Sequence, residues 1–208
     1  MVQTFRDRTT AAEDLAEELE GRGIEADIVL AIPRGGLPLG RVVADALDAP
    51  LDIIVAKKIG APGNPEYAIG AVTSTGSVWR NERAIGADDE AYFERKRNEE
   101  AEQARRKAER YRAGRPAPDL AGESVVVVDD GVATGSTVRA CLQMLSDAGA
   151  EHITLAVPVG PPDSIRDLEE MVDELVCLET PVGFRGVGQF YDRFDQVSDE
   201  EAMTYLGF

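Results

Sequence analysis

Lysine is the scarcest of the common charges. The 208 residues hold four lysines, Lys57, Lys58, Lys96 and Lys107, beside eighteen arginines and 39 acids, for a net charge of −17. That balance argues against a nucleic-acid surface, which needs a basic stripe. An acidic shell poor in lysine is what a high-salt cytoplasm favours, so an acidic, halophilic source is expected. Cysteine is nearly absent. Cys141 and Cys177 lie far apart in apolar patterns, which speaks against a disulfide or a cysteine-built metal site and for buried free thiols. His152 is the only histidine. It stands at the entrance to a strand, away from the end where ligands bind in an open sheet, and is expected to be an ordinary residue. No apolar run reaches membrane length, and Met1 to Arg6 lacks a signal-peptide core, so a cytoplasmic protein without membrane contact is expected.

What is present is concentrated in one stretch, Val125 to Thr137. Four consecutive valines do not alternate with polar residues, so they read as a strand buried on both faces of a parallel sheet. Asp129 and Asp130 follow. Then comes Gly131-Val132-Ala133-Thr134-Gly135-Ser136-Thr137, and then Val138, Cys141, Leu142 and Leu145 on one face of a helix. A strand-to-helix turn of this kind points backbone N–H groups out of a helix N-terminus, where a phosphate fits. The glycines allow close approach and the hydroxyls add donors. A bare phosphate would not favour two neighbouring acids. Sugar hydroxyls would, because a carboxylate accepts from a vicinal diol. A sugar phosphate satisfies both halves.

This run, with its acid pair and Thr-Gly followed by two hydroxyls, resembles the phosphoribosyl-pyrophosphate (PRPP) signature of the type I phosphoribosyltransferases. It lacks the lysine of a Walker A loop. The likeness extends to a group of predicted phosphoribosyltransferases whose acceptor is not established. It implies an α/β fold, a parallel sheet of about five strands with helices on both faces. A single domain over 1–208 is expected, with a loop, hairpin and helix insertion at 57–115 and a C-terminal flap and helix at 180–208.

A second strand–loop–helix unit supports this. Asp27 to Ile32 reads as a strand, Pro33-Arg34-Gly35-Gly36 as its loop, and Leu39, Val42, Val43 and Ala46 as a helix face. Arg34 and Gly35 should face the same crevice as Asp129 and hold a second anionic group. Leu51 to Ala56 reads as a strand with Lys57-Lys58 at its end, and Lys57 is the better candidate for neutralising phosphate. Ile59 to Tyr67, rich in Gly and Pro, is expected to be irregular. The resemblance implies a lid there, with Glu66 and Tyr67 as candidates. Ala68 to Thr73 and Ser77 to Arg80 read as a hairpin. Asp88 to Arg112 reads as one charged helix with a narrow stripe of Ala101, Ala104, Ala108 and Tyr111, a candidate dimer contact. Near the N-terminus, Thr10 to Glu13 has a capping-box pattern. Ile153 to Val157 and Val172 to Leu178 read as further strands, and Ser198 to Leu206 as a terminal helix.

By resemblance, the activity is transfer of phosphoribose from PRPP to a base-like acceptor with release of pyrophosphate. Asp129 and Asp130 would hold the ribose, residues 131–137 the 5-phosphate, and Arg34, Gly35 and Lys57 the diphosphate. Mg²⁺ is the implied cofactor, bound mainly by PRPP and water rather than by a protein site. Phe184, Phe190 and Tyr191 are candidates for stacking on the acceptor, or else for closing the core. A homodimer is expected. The alternative is a regulator that binds PRPP or a nucleotide without turnover. A dinucleotide enzyme is disfavoured, since no Gly-x-Gly-x-x-Gly follows the first strand.

Overall fold

The computed structural model describes residues 4–85 and 90–207, with Glu66 described by its backbone. Helix α1 (Arg8–Gly21) begins earlier than the capping-box pattern suggests. Asp7 is its cap, accepting from the Thr10 N–H at 3.1 Å, and Thr10 falls inside the first turn. Strand β1 (Ile28–Ala31) leads through the Pro33–Gly36 loop into α2 (Gly36–Ala46), and then to β2 (Leu51–Ile53).

The next segment differs from expectation. Lys57 and Lys58 do not end a strand of the main sheet. They lie within β3 (Ala56–Ala61), which pairs antiparallel with β4 (Asn64–Thr73). The Gly/Pro-rich run is therefore an arm of regular hairpin, not an irregular loop. Gly63 takes φ +73° at the turn, and the register shifts around Gly60. A Cβ on Gly60 would lie 2.5 Å from the Pro65 carbonyl oxygen, so the bulge needs a glycine there. Strand β5 (Val78–Arg80) completes this second, three-stranded sheet.

Helix α3 (Glu90–Arg112) follows; the expected start at Asp88 lies outside the described residues. Ala104, Ala108 and Tyr111 bury its narrow stripe in the main core, while Phe93 docks its other end against Ile59, Ile69 and Val72. Arg112 ties its C-terminus to the main sheet, donating to the Asp52 carboxylate at 3.0 Å and the Ile53 carbonyl at 2.8 Å. Then come β6 (Ser124–Val128), α4 (Ser136–Ala148), β7 (His152–Val159), α5 (Pro162–Glu169), β8 (Glu174–Glu179), a 3₁₀ turn at Val187–Phe190 and α6 (Asp199–Thr204).

The main sheet has five parallel strands in the order β2-β1-β6-β7-β8. The valine run sits at its centre, with Val125 to Val128 paired to Ile28 to Ala31. Val126 and Val128 pack into a core built from α1, α2, α3 and α6, and Val125 and Val127 into one built from α4 and α5. Each buried valine contributes roughly 1.5–3 kcal/mol. The sheet is thus covered on both faces, which is why the run does not alternate. Cys141 and Cys177 are free thiols, and burial pushes the Cys177 thiol up to about 12. Among the described residues, no helix is long and apolar enough to cross a membrane.

Candidate functional site

The carboxyl ends of β1 and β6 bring two loops together. One is Asp129 to Thr137, and the other is Pro33 to Gly36. The contact between them is close. A Cβ added to Gly35 would lie 2.0 Å from Asp130 Oδ2, and one on Gly36 would lie 2.6 Å from the Val128 carbonyl oxygen. Only glycine lets the second loop lie against the acid pair. The peptide bond between Pro33 and Arg34 is cis.

The first loop is held from behind. Arg139 donates to the Thr134 carbonyl at 2.6 Å, and the Ser164 hydroxyl to the Ala133 carbonyl at 3.0 Å. Gly135 is the N-cap of α4, at φ +72°, and no side chain caps the helix there. The N-terminal donors of α4 are thus left for a ligand. A cavity of about 200 Å³ lies over them, lined by Asp129, the residues from Gly131 to Val138, and Val187. The Thr134 and Ser136 hydroxyls are 3.2 Å apart at its edge. Val132 departs from expectation. Its N–H donates to the Val159 carbonyl at 2.8 Å and its side chain is buried in the core, so it anchors the loop and lines the cavity without a free N–H.

The two acids differ in their surroundings. Asp130 receives both Nε and Nη2 of Arg8 on Oδ2, each at 2.8 Å. Arg8 is itself stacked on Phe194, 3.9 Å from the ring centre, and donates to the Asp195 carbonyl at 2.7 Å. Asp129 accepts from the Asp130 N–H at 2.9 Å and, among the described residues, has no cation within 4 Å. Burial, and then the charge of Asp130, push its carboxyl well above the usual carboxylate range. Burial also raises Asp130, and Arg8 opposes that shift. Asp129 is therefore an acid with no ion pair of its own among the described residues, its rise only partly offset by the more distant charges of Arg8 and Lys107.

Arg34 is exposed at the mouth, with Nη1 3.9 Å from Asp199 Oδ1. Lys57 reaches within 3.9 Å of Glu100 Oε2. Lys107, from α3, donates to the Pro33 carbonyl at 3.1 Å. Burial lowers its pKa most; the charge of Asp199, and less so Asp129, opposes that shift, while Arg34 and Lys57 add to it. Nothing in the sequence pattern separates Lys107 or Arg8 from the other charges on their helices; both are placed by tertiary packing.

The tail aromatics are also placed differently from the stacking expectation. Phe190 and Tyr191 are 4% and 6% exposed, in a cluster with Phe5 and Val159. Tyr191 donates its hydroxyl to the Asp130 carbonyl at 2.7 Å. These two rings close the core and have no free face for an acceptor. Phe184 is half-buried and stacks on Phe190, with ring centres 5.5 Å apart. Val187 is the tail residue that reaches the phosphate-loop cavity; its Cγ1 would meet a Cβ on Gly131 at 2.6 Å.

Among the described residues, no group of three or more His, Cys, Asp or Glu side chains could hold a metal. The pair Asp129 and Asp130 fits a Mg²⁺ shared with substrate oxygens and water, not a protein cage.

This arrangement, a parallel sheet with an acid pair and an uncapped phosphate-type loop at its carboxyl edge, is that of a phosphoribosyltransferase-like protein. Residues 3–191 match the sequence model of the phosphoribosyl transferase domain, and the chain belongs to that family. It is 40% identical over 207 residues, 99% of its length, to the protein named "Putative phosphoribosyl transferase Rv0571c" of Mycobacterium tuberculosis (strain ATCC 25618 / H37Rv). It covers 47% of that protein, so the chain spans about half the length of the curated relatives it matches. An 86-residue segment, 41% of this chain and 37% of the other, is 40% identical to a uracil phosphoribosyltransferase of Nocardioides sp.. Among solved structures, TT1426 from Thermus thermophilus is 40% identical, with a TM-score of 0.85 and 98% of each chain covered.

Proposed function

We propose that the protein uses PRPP and Mg²⁺ to transfer 5-phosphoribose to a nitrogenous base or related acceptor, releasing pyrophosphate. The observation that carries this reading is the contact of the two loops at the acid pair, where Gly35 lies directly against the Asp130 carboxylate. It supports one ligand with two anionic ends and a polyol between them. The 5-phosphate would take the N–H groups and hydroxyls of Ala133, Thr134, Gly135, Ser136 and Thr137, with Gly131 giving room. The ribose hydroxyls would donate to Asp129 and Asp130. The diphosphate would sit against Arg34, Gly35 and Lys57.

The reaction asks little covalent work of the protein. As the anomeric C–O bond breaks, positive charge grows on the sugar and negative charge on the leaving diphosphate. The two carboxylates lie beside the first, and the cations neutralise the second. Mg²⁺, held at Asp129 and Asp130 mainly through substrate and water, would supply further neutralisation of the leaving group. The acceptor must arrive in line at the anomeric carbon, held there by the fold. The β3–β4 arm, with Tyr67 exposed towards its tip, is the segment suited to close over the diphosphate and keep water out. Val187, at the edge of the phosphate-loop cavity, and the half-buried Phe184 are the tail residues left as candidates to meet an acceptor.

A second reading, binding of PRPP or a nucleotide without turnover, is favoured by one observation: Phe190 and Tyr191 offer no stacking face. Incubation with PRPP, Mg²⁺ and a panel of bases, read as pyrophosphate release, separates the two. Release with one base supports the transferase. Tight PRPP binding with no release from any acceptor supports the binder.

A further inference from the structure

The long helix α3 looks, from its composition, like a solvated rod. Lys107 breaks that pattern. It is turned inward, half-buried, onto the Pro33 carbonyl at 3.1 Å, within the loop that carries Arg34 and Gly35. Its ammonium lies 5.5 Å from the Tyr111 ring centre, and among the described residues no carboxylate comes within 4 Å of it. Lys107 thus lies at the loop mouth where Arg34 sits, close enough to Arg34 and Lys57 to feel both charges. Cations gathered in this way repel, and stay gathered only if an anion spends time among them.

The anion that does so here comes from the chain itself. Asp199, at the start of α6, lies 3.9 Å from Arg34 Nη1, and its other oxygen accepts from Arg110 at 2.9 Å. The Tyr111 hydroxyl donates to it at 2.6 Å, and that bond does most to lower its pKa. The carboxylate is therefore charged and fixed at the rim of the cation group.

Building on the reading of the site as a PRPP site, we infer that Lys107 is a third cationic ligand of the diphosphate, and that Asp199 is an internal placeholder whose hold on Arg34 the diphosphate must displace. Lys107 then binds the diphosphate end alone. The phosphate loop of α4 lies at the other end of the ligand and is untouched by either residue. The pair makes the diphosphate site one in which affinity is tuned from the insertion helix and the C-terminal helix, not from the signature motif.

The two assignments have opposite signs, which makes them testable without knowing the acceptor. Inorganic pyrophosphate with Mg²⁺, and separately ribose 5-phosphate, are titrated calorimetrically into the wild type, Lys107→Met, Lys107→Arg and Asp199→Asn. Asparagine keeps an acceptor for the Tyr111 hydroxyl while removing the charge. Lys107→Met is expected to weaken pyrophosphate at least tenfold, Lys107→Arg to restore most of the loss, and Asp199→Asn to tighten pyrophosphate severalfold. Ribose 5-phosphate affinity should not change in any variant. Unchanged pyrophosphate affinity in Lys107→Met, or weaker affinity in Asp199→Asn, with ribose 5-phosphate still bound, overturns the inference and leaves the PRPP site standing. A wild type that binds neither compound overturns the PRPP reading and the inference with it.

Discussion

Arg8 grips Asp130 with two nitrogens on a single carboxylate oxygen, both at 2.8 Å, across 122 residues of sequence. The side chains are 13% and 14% exposed, so this is a largely desolvated pair. Stacking on Phe194 and the bond to the Asp195 carbonyl fix the guanidinium in turn. The contact orients Asp130 and opposes the rise that burial gives its pKa, while Asp129 beside it has no such partner. Arg8→Met is expected to strand a buried carboxylate, at a cost of roughly 3–5 kcal/mol in urea unfolding. PRPP affinity should fall at least tenfold. Arg8→Lys should fall between, because a single ammonium cannot reproduce the planar fork. Unchanged PRPP affinity in Arg8→Met would show that the pair is only structural.

Asp129 makes the empty protein sensitive to pH in a particular direction. Its folded pKa is raised, by burial and then by Asp130, so between the ordinary carboxylate value and that raised value the folded state binds more protons than the unfolded chain. Stability from this group is therefore greatest at low pH. It falls as pH rises from the ordinary carboxylate value through the raised folded value. Asp129→Asn should remove that dependence, since asparagine can still accept from the Asp130 N–H. At neutral pH it should stabilise the unliganded protein by about 1 kcal/mol, or about 3 °C, while abolishing PRPP binding. Thermal melts from pH 5 to pH 8 measure both slopes. A variant that melts lower than wild type at pH 8 would contradict this account of the site.

The sequence pattern explains Gly135 by the close approach of a phosphate. The structure gives a different reason. A Cβ there would point behind the loop, 2.9 Å from Arg139 Nη1, and the residue sits at φ +72°. Gly135→Ala should therefore cost about 1–2 kcal/mol through backbone strain. It should weaken phosphate binding by tilting the loop, not by filling the cavity. Fluorescence-monitored unfolding of the variant, with and without ribose 5-phosphate, reads both effects.

The net charge of −17 has its own consequence. Much of the basic charge is spent on local pairs along α3, such as Arg105 with Glu102 and Glu109, leaving the excess acid to repel itself. Added salt shortens that repulsion to about 3 Å at 1 M. The melting temperature is expected to rise with KCl from low salt to molar concentrations. A protein fully stable without added salt would count against a halophilic origin.

The parts of this molecule legible in the sequence are those fixed by local pattern. Four valines in a row carry their own burial on two faces, and the five-stranded parallel sheet follows from the repeated strand–loop–helix units. The β3–β4 arm is not legible, because Gly60 and Gly63 signal a break when they in fact supply a bulge and a turn. Arg8, Lys107 and Asp199 are hidden for another reason. Each is one charge among many on a polar helix, and only packing turns it towards the crevice. Phe190 and Tyr191 look like a stacking platform because sequence does not distinguish a ring that faces a ligand from one that faces the core. Val187 carries no signal at all.

The most direct test is a calorimetric titration of PRPP with Mg²⁺ into the wild type and into a variant carrying Asp129→Asn and Asp130→Asn together. The account predicts saturable one-site binding by the wild type and its loss in the variant, with the variant still folded by circular dichroism. No binding by the wild type, or equal affinity in both proteins, would contradict it.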